Sequence, residues 1–308
     1  MSRVVEPADP LETTFRHSHW KDKRARVRAI LTSCNLNEFK LDAFDQCGSA
    51  CRVEWSETEQ RYRLSANYCH SRHCEPCMRS KANRMAANLK KRLREKPDGR
   101  YRFLTLTLRH SKTPLKDQLN RLYESFKKLR NTKFWKESQN GGVAIVEIKR
   151  QANSGKWHPH LHIISEGAFI RQAELSAQWQ KITGDSKIVD IRALKSGDDA
   201  AHYVSKYITK GTSNDVWKDT NAAQEWVIST KGLRTCTTFG KWRGFKLLAI
   251  DKSTKDWAKV DSLVNLINRA RSGEEHAANL LAILRPPGDA DAPGRRPKES
   301  PPNPANRT

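Results

Sequence analysis

Three histidines at alternate positions, His158, His160 and His162, constrain the fold of this chain more than any other feature. Side chains two residues apart share a face in an extended strand, so 157–165 (WHPHLHIIS) reads as a strand with three imidazoles on one side. Pro159, Leu161 and Ile163 then turn toward the opposite, packed side. The same alternation recurs at 101–109 (YRFLTLTLR), where Phe103, Thr105 and Thr107 alternate with Leu104, Leu106 and Leu108. Such strands suit a sheet with one face packed and one face open.

The segments around them fill in the order. A helix at 115–131, a strand at 143–150, a helix at 170–182, a strand at 187–193 and a helix at 198–210 give a split β-α-β-β-α-β arrangement with one extra helix. The expected fold class is α+β: a central antiparallel sheet with helices on one face. Residues 20–45 read as a basic helical leader, 51–55 and 62–64 as short strands, and 78–95 as a helix stopped by KPDG. Beyond Gly211, LRTCTTFGKWRG looks like a hairpin and 256–285 like one or two helices. The last 24 residues hold seven prolines and almost no large apolar side chains, so they cannot bury enough surface to fold. The expected division is 1–99, a leader with a cysteine-rich module and its following helix; 100–250, the sheet domain; 251–284, a helical segment; and 285–308, a disordered tail.

Charge narrows the partner. Lys and Arg number 57 against 34 Asp and Glu, a net charge of +23 spread along the whole chain. A polyanion is implied. No apolar stretch approaches the ~18 residues of a spanning helix, and the N-terminus lacks a signal-peptide core, so the expectation is nucleic acid rather than membrane, and a cytoplasmic place.

Five of the seven cysteines crowd into Cys47 to Cys77, with three residues between Cys47 and Cys51, four between Cys69 and Cys74 and two between Cys74 and Cys77. In a reducing compartment this spacing points to metal rather than disulfides. Four thiolates close a tetrahedral zinc site. Cys74 and Cys77 form a chelating pair, and the other two ligands come from Cys47, Cys51 and Cys69. Cys34 and Cys236 stand apart and read as small buried hydrophobes.

Neutral imidazole suits several divalent ions, so the histidine strand is a ready metal edge. In the helix YVSKYITK, Tyr203 and Tyr207 lie at i and i+4 and share a face, with Lys206 and Lys210 forming a second stripe. Phe134, Trp135, Trp179 and Trp242 sit among basic residues, where they either stack unpaired bases or belong to the core.

Taken in order, FLTLTLRH (103–110), His160-Leu-His162 and YVSKYITK resemble the three motifs of the HUH endonuclease superfamily, in particular the rolling-circle replication initiators of small bacterial plasmids. ANYCHSRHCEPC resembles the small zinc module that such initiators carry ahead of the nuclease domain. The resemblance covers roughly residues 20 to 250. It implies that His160 and His162 bind Mg²⁺ or Mn²⁺, that Tyr207 is the principal nucleophile, and that Cys47 and Cys69 complete a structural Zn²⁺ site with Cys74 and Cys77, leaving Cys51 spare. It favours a strand glutamate, here Glu147, as a further ligand; His158 and Asp190 compete, and an ordinary pairing of Glu147 with Lys149 is the alternative.

The activity implied is metal-dependent nicking and joining of single-stranded DNA through a 5′-phosphotyrosine, on single-stranded or supercoiled origin DNA, with a host helicase and DNA polymerase as partners. Lys206 and Lys210 are candidates for phosphate binding. In one branch of the plasmid family a glutamate stands four residues before the nucleophile. Tyr203 at that place resembles phage initiators and some rolling-circle transposases instead. The rival readings are a transposase or relaxase of the same chemistry and a noncatalytic zinc-containing DNA-binding protein.

Overall fold

The computed structural model describes residues 10–35, 38–96, 98–109, 111–151, 154–208, 214–249 and 256–284. The expected disordered tail, 285–308, lies outside them. Among the described residues eight strands form: β1 (Arg52–Ser56), β2 (Arg61–Ser65), β3 (Tyr101–Thr107), β4 (Gln139–Arg150), β5 (Trp157–Gly167), β6 (Val189–Ala193), β7 (Cys236–Gly240) and β8 (Trp257–Ser262). They make a three-stranded sheet ordered β2-β1-β8 and a five-stranded sheet ordered β6-β3-β5-β4-β7, and every pairing is antiparallel.

The chain falls into two compact units. One comprises the described parts of Met1–Lys21, Cys47–Asn67 and Thr254–Thr308, and the other those of Asp22–Gln46 and Tyr68–Ser253. In the first, Val53 of the small sheet packs with Leu266, Ala277 and Leu280 from the helices Leu263–Arg271 and Glu275–Leu284. The buried Glu12 carboxylate accepts the Cys51 backbone N–H at 2.9 Å, which satisfies that amide without water.

In the second unit, β5 is the middle strand of five. Its leucine side, continuous with Leu104, Leu106, Ala144 and Val146 of its neighbours, is buried. The helix Leu115–Asn131 covers it because Leu115, Leu119, Leu122, Phe126 and Leu129 repeat at intervals of three and four and so form one apolar stripe. Phe126 meets Phe239 of β7 edge-on at 5.4 Å. Trp179, from the helix Gln172–Thr183, is fully buried and donates its indole N–H to the Thr107 carbonyl at 2.9 Å. At Gly142 a Cβ would stand 2.0 Å from the Ile164 carbonyl oxygen, so only glycine lets β4 and β5 approach this closely.

Three expectations are corrected. Helices cover both faces of the large sheet, not one. Phe103, Val143, Ile145 and Ile164 share the histidine face and are closed over by Leu89 and Leu93 of the helix Glu75–Arg94 and by Ala200 of the helix Gly197–Ile208. The alternation of Thr105 and Thr107 with leucines describes only the polar end of that face. The expected hairpin at LRTCTTFGKWRG is one strand, β7, whose partner is β4, and the expected helix from 256 begins as strand β8, whose partner is β1. In both cases a distant partner supplies the ladder. Trp135, Trp179 and Trp242 are core residues, each at most 2% exposed. Among the described residues no helix is long and apolar enough to cross a membrane.

Trp179 contributes both packing and a buried hydrogen bond, so Trp179→Ala is expected to cost about 3–5 kcal/mol in a urea unfolding series. A loss under about 1 kcal/mol would contradict its place in the core.

Candidate functional site

The register of β5 against its two neighbours determines what surrounds the histidines. His160 stands between Thr107 on β3 and Glu147 on β4, and His162 between Thr105 and Ile145. Each imidazole meets a threonine hydroxyl at Nδ1, at 3.2 Å for His160 and 3.1 Å for His162. That contact fixes ring orientation and leaves Nε2 as the outward atom of each ring. The His162 Nε2 lies 2.7 Å from the Glu147 carboxylate, and both residues are buried. The His160 Nε2 is buried without a hydrogen-bond partner among the described residues.

Burial, followed by His158, pushes the His160 imidazole down to about 3, so it is neutral at physiological pH and carries a free lone pair. Two imidazole nitrogens and a carboxylate are of the nitrogen and oxygen donor type that divalent cations take, although among the described residues only the cysteine set brings all its ligand atoms within 4.8 Å of one another. Glu147 also meets Lys149 at 3.6 Å, so the ordinary pairing foreseen for it coexists with the histidine contact. His158 stacks edge-on with His160 at 4.2 Å and sits in register with Lys149, one row beyond Glu147. Asp190, the other competing ligand, pairs with Arg192 at 2.9 Å.

The helix Gly197–Ile208 carries the tyrosines. Tyr207 stacks on His162 at 3.8 Å with 22° between the rings, and on Phe103 at 5.4 Å. Tyr203 packs on Phe103 at 4.8 Å, and its phenol is hydrogen-bonded to Arg192. Tyr207 is therefore the tyrosine against His162, and Tyr203 the one against Arg192 of the edge strand β6. Burial first, and Glu147 second, raise the Tyr207 phenol above its ordinary value, while Arg192 opposes them. The Lys206 side chain, Lys210 and His110 lie outside the described residues.

Residues to which sequence reasoning gave no role in the site complete the arrangement: Thr105 and Thr107 orient the histidines, Phe103 forms the floor under both tyrosines, and Arg192 faces Tyr203. The two threonines share the spacing of two that marks the histidines, a signal that could have paired them. Arg192 had no such signal.

The cysteines form a second centre. The sulfurs of Cys47, Cys69, Cys74 and Cys77 all lie within 4.8 Å of one another, and this set could hold a metal such as zinc. Cys69 and Cys77 approach to 3.6 Å, and the Ser71 amide points at the Cys69 sulfur at 3.5 Å. Cys74 sits immediately before the helix Glu75–Arg94, which contributes Cys77 from its first turn. Cys51 is outside the set, and burial pushes its thiol up to about 12. Burial likewise holds the Cys236 thiol at about 12, which suits an inert side chain.

The replication protein family matches residues 60–280. A protein rep of Lactiplantibacillus plantarum is 30% identical over 197 residues, which cover 58% of this chain and 61% of that protein. Proteins of the same name from Bacillus amyloliquefaciens and Staphylococcus aureus are 28% and 24% identical, over 59% and 57% of this chain and 60% and 82% of their own lengths. The chain thus spans about 60% of the length of the first two of these relatives. No solved structure matches it. The family match runs from β2 through the histidine strand and the tyrosine helix into the helix Glu275–Leu284, and the chain belongs to the replication protein family.

Proposed function

We propose that the chain initiates plasmid replication by cutting one strand of origin DNA and joining the 5′ end covalently to Tyr207. The observation that carries this reading is the contact of Tyr207 with His162 at 3.8 Å, beside the Glu147 carboxylate and the unpaired His160 Nε2. A nucleophile and a metal edge meet there, and family membership supports a role in replication.

The reaction is a transesterification. The Tyr207 phenolic oxygen attacks the scissile phosphorus, the bond from phosphorus to the 3′ oxygen breaks, and the phenol proton is lost as the departing 3′ oxygen gains one. The products are a 5′-phosphotyrosine and a free 3′-hydroxyl, which a polymerase extends. Mg²⁺ or Mn²⁺ held by His160, His162 and Glu147 would polarise a non-bridging phosphate oxygen. Thr105 and Thr107 hold the two imidazoles in the ligating orientation, and Phe103 holds the tyrosine rings against the site. Lys206 and Lys210 are assigned to the phosphates of the bound strand, and a host helicase and polymerase to the steps that follow.

Once Tyr207 is consumed, resolving the displaced strand needs a second acceptor. Tyr203, one helical turn away on the same face, supplies it. Zinc in the set Cys47, Cys69, Cys74 and Cys77 is structural, because four thiolates leave no open coordination position for chemistry.

Two outcomes test these assignments. Purified, reduced chain should hold one tightly bound zinc, and Cys74→Ser should release it and lower solubility or folding; fresh protein free of zinc by metal analysis would end the structural-zinc assignment. Peptide mapping of the adduct formed on a suicide oligonucleotide should place the label on Tyr207. Tyr207→Phe should abolish that adduct, while Tyr203→Phe should retain initial cleavage and impair strand transfer. Label only on Tyr203 reverses the two roles, and label on neither removes the nuclease reading.

A further inference from the structure

The small sheet β2-β1-β8 has two unlike faces. Val53, Tyr62 and Leu64 point toward the two C-terminal helices and pack with Leu266, Ala277 and Leu280. The register puts Arg52, Glu54 and Ser56 of β1, Arg61 and Arg63 of β2, and Trp257 and Lys259 of β8 on the opposite face. Arg52, Arg61, Arg63 and Lys259 are all exposed, and Trp257 is half-buried.

One end of this face is built around a flat ring. Ser56, in the row between Arg61 and Trp257, is fully buried and donates its hydroxyl to the Asp256 carboxylate at 2.9 Å. This small residue in the middle strand leaves room for the indole to lean toward β2. There the Arg63 guanidinium stands 3.9 Å from the ring centroid and that of Arg61 5.2 Å. Glu54 holds Arg63 at 2.7 Å, and Glu59 pairs with Arg61, while Arg52 and Lys259 have no acidic partner among the described residues. The face therefore carries four cations against the three carboxylates of Glu54, Glu59 and Asp256, with an indole and guanidinium stack at one end.

That combination fits an unpaired nucleic acid strand. Bases stack on aromatic and guanidinium planes, and every base has a π face, so the contact tolerates any sequence. A duplex keeps those base faces inside its own stack and offers a flat plate only its backbone. Exposed cations in the successive rows beyond the ring suit the phosphates that follow a stacked base along a strand. We propose that this face is a second, sequence-tolerant binding site for single-stranded DNA. Trp257 with its guanidinium stack receives a base, and Arg52 and Lys259 receive neighbouring phosphates. The site uses none of the residues of the histidine and tyrosine centre, and it stands whether or not that centre cuts DNA.

Fluorescence anisotropy of a labelled oligothymidylate bound to the full chain, over a salt series, tests the proposal. Trp257→Ala is expected to weaken binding about tenfold or more, and Trp257→Phe to retain most of the affinity. The double variant Arg52→Gln/Lys259→Gln should lower the slope of log affinity against log salt by about 1.4, at about 0.7 for each phosphate no longer neutralised. Its two positions are exposed, so it decides the matter alone if Trp257→Ala unfolds. Wild-type affinity and slope in the double variant would overturn the proposal. So would a loss confined to a hairpin duplex of the same length.

Discussion

The ladder between β4 and β5 is the constraint on which the candidate site depends. Glu147 faces His160 because the two strands pair in one register, and a slip by a single residue would turn Glu147 toward the buried leucine face while the histidines stayed behind. The apolar residues on both strands prevent that slip, since Val146, Leu161 and Ile163 would then exchange a packed face for a polar one. Gly142 reinforces the register through its close approach to Ile164. The site is thus held by main-chain hydrogen bonds and by the packing of the opposite face rather than by its own polar contacts.

On this frame the site's electrostatics leave a defined need. A buried imidazole nitrogen without a partner is costly, and a divalent cation bound there would offset that cost. The phenol stacked on His162 is shifted away from ionisation by burial and by Glu147. A cation bound to Glu147 would neutralise the second of these influences.

Much of this was legible because it is local. The spacing of two in His158, His160 and His162 gave the strand and its face, the spacing of four in Tyr203 and Tyr207 gave their common side, and the short intervals around Cys69, Cys74 and Cys77 gave a chelating set. The choice of Cys47 over Cys51 came from family likeness, and Cys47 is the one in the sulfur cluster. What was not legible depends on partners distant in sequence. β8 pairs with β1 some two hundred residues earlier, and its short, mixed sequence has no period that separates it from a helix. The contact of Arg192 with Tyr203 depends on β6 lying at the sheet edge beside β3, and the helices on the histidine face depend on Phe103, Val143 and Ile145 needing cover at one end only.

The central claim is that His160, His162 and Glu147 form a cation site next to Tyr207. Anomalous scattering from crystals of the full chain grown with Mn²⁺ tests it most directly. The account predicts a peak within coordination distance of the Nε2 atoms of His160 and His162 and of the Glu147 carboxylate, and its loss in Glu147→Gln or His160→Ala. Crystals saturated with Mn²⁺ that show no density between these three side chains, or show the ion elsewhere while the protein still cuts DNA, would contradict it.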